Sequence, residues 1–457
     1  MAILVLLSLL LSLPLFAQNP SGDQDFDPIK KLKALENEMD SLRQRIEKNE
    51  ASQLDQNVRE EKYAVLYGRI GTRYHWLFED TRETLNVPEF RAQLGLFGTA
   101  YDDGDQIVRY DLRIRATFED VNNKPVPTLA WGPFPGNGAG ADIAFDRMYA
   151  EIEVLDFMGL AIGRAPTPYQ GTEMVWDQDF TFQGVTGFLH FESLFDDDFR
   201  KHMPRLRLKL TASYLGANTV GLPTAYDTVT PMYIGGQLQM SWAPFADTTP
   251  IKEGEVRQAP GIFTDVELRL SLGVHHVDGE ETISKNIGVG YISSTTNVLD
   301  SGGDVISDFL IAEVFFELVF MRSRRANIVF YGHYINNIRA HDEPGSQSER
   351  NEHGVAAGMF WGMPILTERW DFRASFEYFY IEPDATIPEF NSEVLNTNIK
   401  GWDVSVFVTL FKNVTVFSHF SVFERKDFEK RGFGIEEPDG RSGTKGFRIR
   451  TGLFLEF

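Results

Sequence analysis

Gly446-Phe-Arg-Ile-Arg-Thr-Gly-Leu-Phe-Leu-Glu-Phe457 is the stretch that decides the fold. Read with a period of two, Phe447, Ile449, Thr451, Leu453, Leu455 and Phe457 share one face of a strand. Arg448, Arg450, Gly452, Phe454 and Glu456 share the other. An apolar face backed by a charged one suits a strand with lipid outside and water inside. The edge strand of a soluble sandwich alternates in the same way, so the rest of the chain must choose between the two.

From Tyr63 onward the same period recurs. Val108, Tyr110, Leu112, Ile114, Ala116 and Phe118 alternate with Arg109, Asp111, Arg113, Arg115, Thr117 and Glu119. Leu206, Leu208 and Leu210 alternate with Arg205, Arg207 and Lys209, and Val266, Leu268, Leu270 and Leu272 with Asp265, Glu267, Arg269 and Ser271. Trp370, Phe372, Ala374, Phe376 and Tyr378 alternate with Arg369, Asp371, Arg373, Ser375 and Glu377. The polar face is charged strand after strand, and aromatic residues gather near strand ends, as a lipid exterior around a wet lumen requires.

Such segments occur at 61–74, 87–101, 106–119, 144–155, 158–165, 184–195, 203–216, 231–244, 261–278, 304–321, 325–338, 351–363, 367–382, 398–411, 413–425 and 444–457. Sixteen is an even number, as a closed antiparallel bacterial barrel needs. Tight links at Asp156-Phe157, Arg322 to Arg324, Pro364 to Leu366 and Lys412 alternate with long ones at 120–143, 166–183, 279–303, 339–350, 383–397 and 426–443. Only the link from Ala243 to Pro260 is long where a turn is due. The expected fold is therefore all-β, a sixteen-stranded antiparallel transmembrane β-barrel over 63–457.

The N-terminus reads differently. Residues 1–17 form an apolar run of signal-peptide length, with cleavage expected after Ala17, so the chain is expected to be exported. A mature N-terminal segment, 18–26, follows. Within 27–52, Leu32, Leu35, Met39, Leu42 and Ile46 step by three and four, a heptad seam of roughly three heptads. So short a helix is unstable alone, which favours a periplasmic coiled coil between chains over a single amphipathic helix lying on another surface. Residues 53–62 are a polar linker.

Composition removes whole classes of function. Hydrophobic residues are 42% of the chain, and no stretch past the N-terminus is apolar for the ~18 residues of a spanning helix. A formal charge of −22 argues against a nucleic-acid partner. There is no cysteine, hence no disulfide, lipobox or thiolate metal site. Neither a Gly-x-Ser-x-Gly elbow nor a His-Glu-x-x-His helix occurs, and His275 and His276 point to opposite faces of a strand. No cofactor, metal or catalytic residue is expected.

The link after the fifth segment holds Gly163, Arg164 and Pro168 followed by an acidic and aromatic run, and so is similar to the inward-folded third loop of porins. Together with the signal segment, heptads, sixteen segments and terminal Phe457, the chain resembles trimeric outer-membrane porins. It is nearest the coiled-coil-bearing DcaP-like branch and the relatives of phosphate-selective porins. Phe457 also resembles the terminal aromatic signal by which outer-membrane barrels are recognised for insertion. The resemblance implies a homotrimer in the bacterial outer membrane, a lipid-bilayer partner, and passive diffusion of small hydrophilic solutes. It also implies a constriction loop, whose acids here are Glu173, Asp177 and Asp179. A structural anchor or a barrel enzyme is the alternative.

The alternation assigns the pore wall to Arg69, Arg73, Arg109, Arg113, Arg115, Arg205, Arg207, Lys209, Arg369, Arg373, Arg448 and Arg450, with Arg91, Arg147 and Arg269. Against these stand Asp111, Glu119, Glu151, Glu153, Asp265, Glu267, Asp371, Glu377, Asp403 and Glu456. The basic excess leans towards anions, the three loop acids oppose it, and arginines paired with neighbouring acids would merely stiffen the wall. Deleting 27–50 should leave the barrel inserted while slowing formation of the oligomer, measured by its assembly rate and heat resistance. An unchanged rate would reduce the heptads to a spacer.

Overall fold

The computed structural model describes residues 64–79, 82–102, 106–119, 132–133, 140–155, 157–176, 180–195, 203–214, 232–243, 266–278, 307–320, 327–340, 352–363, 366, 368–387, 397–425 and 445–457. The signal segment, the heptad helix, the linker, Asp177, Asp179, Asp265 and the link 244–265 lie outside the described residues, as does the side chain of Glu119.

The strands are β1 (Val65–Glu79), β2 (Arg82–Asp102), β3 (Ile107–Glu119), a two-residue β4 (Gly132–Pro133), β5 (Gly140–Leu155), β6 (Met158–Pro166), β7 (Thr181–His190), β8 (Arg205–Tyr214) and β9 (Met232–Trp242). They continue as β10 (Glu267–Asp278), β11 (Phe309–Phe320), β12 (Asn327–Asn337), β13 (His353–Gly362), β14 (Phe372–Ile381), β15 (Ile399–Phe411), β16 (Val414–Arg425) and β17 (Lys445–Glu456). Apart from the β4 stub, which sits against β2, each strand pairs antiparallel with the next, and β17 pairs with β1 from Arg69↔Glu456 to Glu79↔Gly446. Sixteen long strands thus close into a barrel.

Closure explains why these sequences make strands. In hydrocarbon every backbone N–H and C=O must be satisfied within the protein, and a closed sheet has no edge. The final residue completes the seam. Phe457 N–H donates to the Gly68 carbonyl at 3.0 Å, and Gly68 N–H returns a bond of 2.8 Å to the Phe457 carbonyl. A Cβ at position 68 would lie 2.3 Å from the Phe457 ring, so a larger residue there would push that ring aside.

Burial is inverted relative to a soluble protein. Leu66, Ile234, Leu210 and Leu272 are exposed on the outer face, whereas Gln237, Ser271, His275, Glu313 and Arg113 on the other face are buried. Trp242, Trp361, Trp370, Phe411 and Phe457 stand exposed near the short-link rim, and Tyr214, Trp402 and Phe447 near the opposite one. Such aromatic girdles sit at the two membrane–water interfaces.

An apolar cluster occupies the inside of the barrel at the long-link end. Met174, Val175, Trp176, Phe180 and Phe182 pack there with Tyr233, Phe309, Ile335, Phe379, Ile381 and Ile399. The segment after β14 joins them, with Ala385 and Ile387 buried in the cluster. Asn337 Nδ2 donates to the Asp384 carbonyl at 2.9 Å and Ser307 Oγ to Asp384 Oδ2 at 3.0 Å, so this second link also folds inward.

One boundary needs correcting. β14 begins at Phe372, not at 367, and Arg369 and Asp371 belong to the turn before it. Trp370 adopts a φ of 73°, which breaks the extended chain, and Asp371 N–H donates to the Glu368 carbonyl at 3.0 Å. Arg369 is exposed there, its guanidinium over the rings of Trp370 and Phe411, rather than on the strand wall.

A water-soluble thiol reagent should label Cys at Arg207 and spare Cys at Leu206; the reverse would mean a register slip of one residue. A charge at Leu268 should cost about 2–4 kcal/mol in equilibrium folding into lipid.

Candidate functional site

The site is built from two opposed parts of the interior. The first is the link that leaves β6. Gly163 holds a φ of 118°, and a Cβ would meet the Met148 carbonyl oxygen at 2.3 Å, so no other residue fits this bend. Pro166 and Pro168 then end the ladder, and the chain turns into the barrel. Lys209 Nζ donates to the Pro168 carbonyl at 2.7 Å. Gln170 N–H donates to Gln237 Oε1 at 2.8 Å, and Gln237 Nε2 donates to the Gln170 carbonyl at 2.6 Å. Ser271 Oγ reaches Gln170 Oε1 at 2.9 Å, and Thr172 N–H donates to His333 Nδ1 at 3.2 Å. A link that starts on β6 is thus fastened to β8, β9, β10 and β12.

Behind these fastenings lies a wholly buried polar group. Glu313 on β11 stands between His275 Nε2 at 2.9 Å and His333 Nε2 at 3.1 Å, and it accepts from Gln237 Nε2 at 2.5 Å. Tyr233 Oη lies 2.6 Å from His275 Nδ1. Since His333 Nδ1 accepts from Thr172, its Nε2 carries the proton and donates to Glu313. Glu313 therefore sets the tautomer that holds the link.

The second part is an arginine belt on the opposite arc. Cross-strand register brings together Arg448 and Arg450 of β17, Arg73 of β1, Arg91 of β2, Arg113 and Arg115 of β3 and Arg147 of β5. Glu89 pairs with Arg73 and lies 3.6 Å from His75 Nδ1. Asp146 lies 2.5 Å from Arg113 and 3.5 Å from Arg115, and accepts from Gln93 Nε2 at 2.7 Å. Asp111 lies 3.4 Å from Arg147 and accepts from Tyr67 Oη at 2.7 Å. Among the described residues the belt sets seven arginines beside Glu89, Asp111 and Asp146, and Asp403 of β15 acts on Arg448 and Arg450, so arginine remains in excess.

The other predicted residues are more scattered. Arg69 pairs with Glu456, and Arg109 with Glu151 at 3.3 Å and Glu153 at 2.5 Å. Arg205 is exposed at the start of β8, and Arg207 pairs with Glu192 at 3.0 Å. Arg269 pairs with Glu267 and Glu317, both at 3.0 Å, and Arg373 stands 4.8 Å above the Phe407 ring. Glu173 lies on the inward link. Among the described residues no three His, Asp or Glu side chains gather as a metal centre.

Sequence reasoning missed Asp146. Strict alternation places it outside when Arg147 is inside, but the register shifts between Arg113 and Ile114 put both residues within. Such a bulge adds one residue to one strand. The signal was present: a charged residue such as Asp is unfavourable on a lipid face. The His275–Glu313–His333 group was missed because its members lie on three strands, far apart in sequence.

A family model described as "Putative porin" matches residues 40–205 and 307–424. Among solved structures, OmpF of Salmonella typhi in complex with daunomycin shares 9% identity over 87% of this chain and 99% of that one, with a TM-score of 0.47. The anion-selective porin from Comamonas acidovorans shares 11% over 86% and 99%, with a TM-score of 0.44. A loop-deletion variant of OmpT from Vibrio cholerae shares 10% over 86% and 99%, with a TM-score of 0.42. No curated protein matches the chain.

Substituting His333→Phe removes the bonds to Thr172 and strips Glu313 of one partner. It should cost about 1–3 kcal/mol and speed protease cleavage within 165–180, with the barrel still folded by far-UV circular dichroism.

Proposed function

The chain belongs to the porin family just described and forms a channel across the bacterial outer membrane, and from that premise we propose that it passes small hydrophilic solutes by passive diffusion, with a preference for anions. The arginine belt carries this reading. A low-dielectric wall focuses the field of its charges into the passage, so a local excess of cations outweighs the −22 of the whole chain. The wall residues Arg69, Arg73, Arg109, Arg113, Arg115, Arg205, Arg207, Lys209, Arg373, Arg448 and Arg450 line that passage in this reading, and the inward link narrows it. Arg113 and Arg115 also brace Asp146, so they serve partly as stiffeners.

Glu173 opposes the belt from the inward link, and Asp177 and Asp179 belong to the same link. Charges spread over five strands act along more of the path than acids at one depth, which favours the anion. We read the chain as a diffusion channel and not an enzyme, and as a homotrimer joined in the periplasm through the 27–52 heptads. The seam of Leu32, Leu35, Met39, Leu42 and Ile46 supports this assembly.

Reversal potential across a salt gradient tests the selectivity. The wild-type channel should favour chloride over potassium, and Arg448→Gln with Arg450→Gln should move the potential towards cations. A wild-type channel already selective for cations would overturn the anion preference and hand control to the acids of the link.

A further inference from the structure

Three phenylalanines line up across neighbouring strands on the inner face, near the short-link end. Phe407 of β15 and Phe417 of β16 stack with centroids 5.8 Å apart and planes 23° from parallel. Phe417 and Phe454 of β17 stack at 4.7 Å and 20°. They share this face with Asp403, Ser405, Arg448 and Arg450, whereas Val404, Val406, Phe420 and Leu453 are exposed on the lipid side. Phe417 is buried between its neighbours, while Phe407 and Phe454 keep part of their surface open. His419 stands edge-on to the rings of Phe407 and Phe417.

A guanidinium caps each end of this strip. Arg69 lies 4.4 Å above Phe454 and Arg373 lies 4.8 Å above Phe407. The two differ in what they are free to do. Arg69 is committed to Glu456. Among the described residues Arg373 makes no hydrogen bond or ion pair, and the charges of Arg69 and Glu173 act on it from a distance. A guanidinium lying flat on a ring still presents its N–H edge to a planar anion.

We propose that this strip is a binding step for flat, singly charged aromatic carboxylates, their ring set against the open edges of Phe407 and Phe454 and their carboxylate held by Arg373. Stacked rings offer a planar solute a surface that a saturated or purely aliphatic one cannot use as well. One uncommitted arginine selects one carboxylate. A bare wall brace would need the stacked rings but would leave no cation unpaired beside them. The proposal rests on the channel reading above and adds a substrate class to it.

The test uses the full chain in planar bilayers carrying KCl current, with benzoate, acetate and benzyl alcohol as probes. Benzoate should interrupt the current at a concentration about tenfold lower than acetate, and benzyl alcohol should not interrupt it. Phe407→Leu should abolish the advantage of benzoate over acetate with KCl conductance unchanged, and Arg373→Gln should weaken both anions. Equal block by acetate and benzoate, or a full benzoate advantage in Phe407→Leu, would overturn the proposal. A chain that carries no KCl current would sink the channel reading instead. Saturation-transfer NMR to benzoate on the detergent-solubilised protein then reads the strip directly, with signal lost in the Phe407→Leu, Arg373→Gln double variant supporting it and equal signal overturning it.

Discussion

Everything in this molecule depends on the seam where β17 meets β1. Backbone groups in hydrocarbon have no water to fall back on, so an open edge would leave a row of unpaired donors and acceptors, each costing several kcal/mol. The ladder from Arg69↔Glu456 to Glu79↔Gly446 removes that edge, and the reciprocal bonds of Gly68 and Phe457 carry it to the last residue. Once closed, sixteen strands enclose more space than strand side chains can fill. The interior must then be furnished in another way.

Two solutions coexist inside. The long-link end is filled by chain, with the links after β6 and β14 folded inward to build an apolar cluster around Trp176, Phe182, Tyr233 and Ile381. The middle is left to charge, with arginines on five strands held apart from one another by Glu89, Asp111 and Asp146. Like charges this close would repel strongly in a dry core. The interleaved carboxylates make the arrangement tolerable by offsetting part of that repulsion.

How much of this was legible in the chain follows from the physics of each part. The strands were readable because lipid on one side and water on the other force a period of two, and β17 shows it in twelve residues. Sites that break the period were not. Asp146 sits in a bulge, and the turn at Trp370 takes Arg369 off the wall. The inward course of the first link could be expected from Gly163 and its prolines, but not where it lands. Gln237, Ser271 and His333 gave no local sign that they would receive it, because their role exists only after β9, β10 and β12 are side by side. The inward fold of 382–387 was missed for the same reason, since its holdfasts are Ser307 and Asn337.

The reach of the first link also sets an order of events during assembly. Its own base, β6 and β7, is a local hairpin, but its holdfasts belong to strands as distant as β12, 161 residues from Thr172 to His333. The link cannot seat until those later strands have joined the growing sheet. Until then Met174, Val175 and Trp176 have no apolar partners from β9 to β15 to cover them. The half-built wall therefore carries a greasy, unanchored flap, and seating that flap is coupled to the closure that seals the backbone. Maturation of the passage is in this way a late, cooperative step, and insertion of the first hairpins alone cannot produce it.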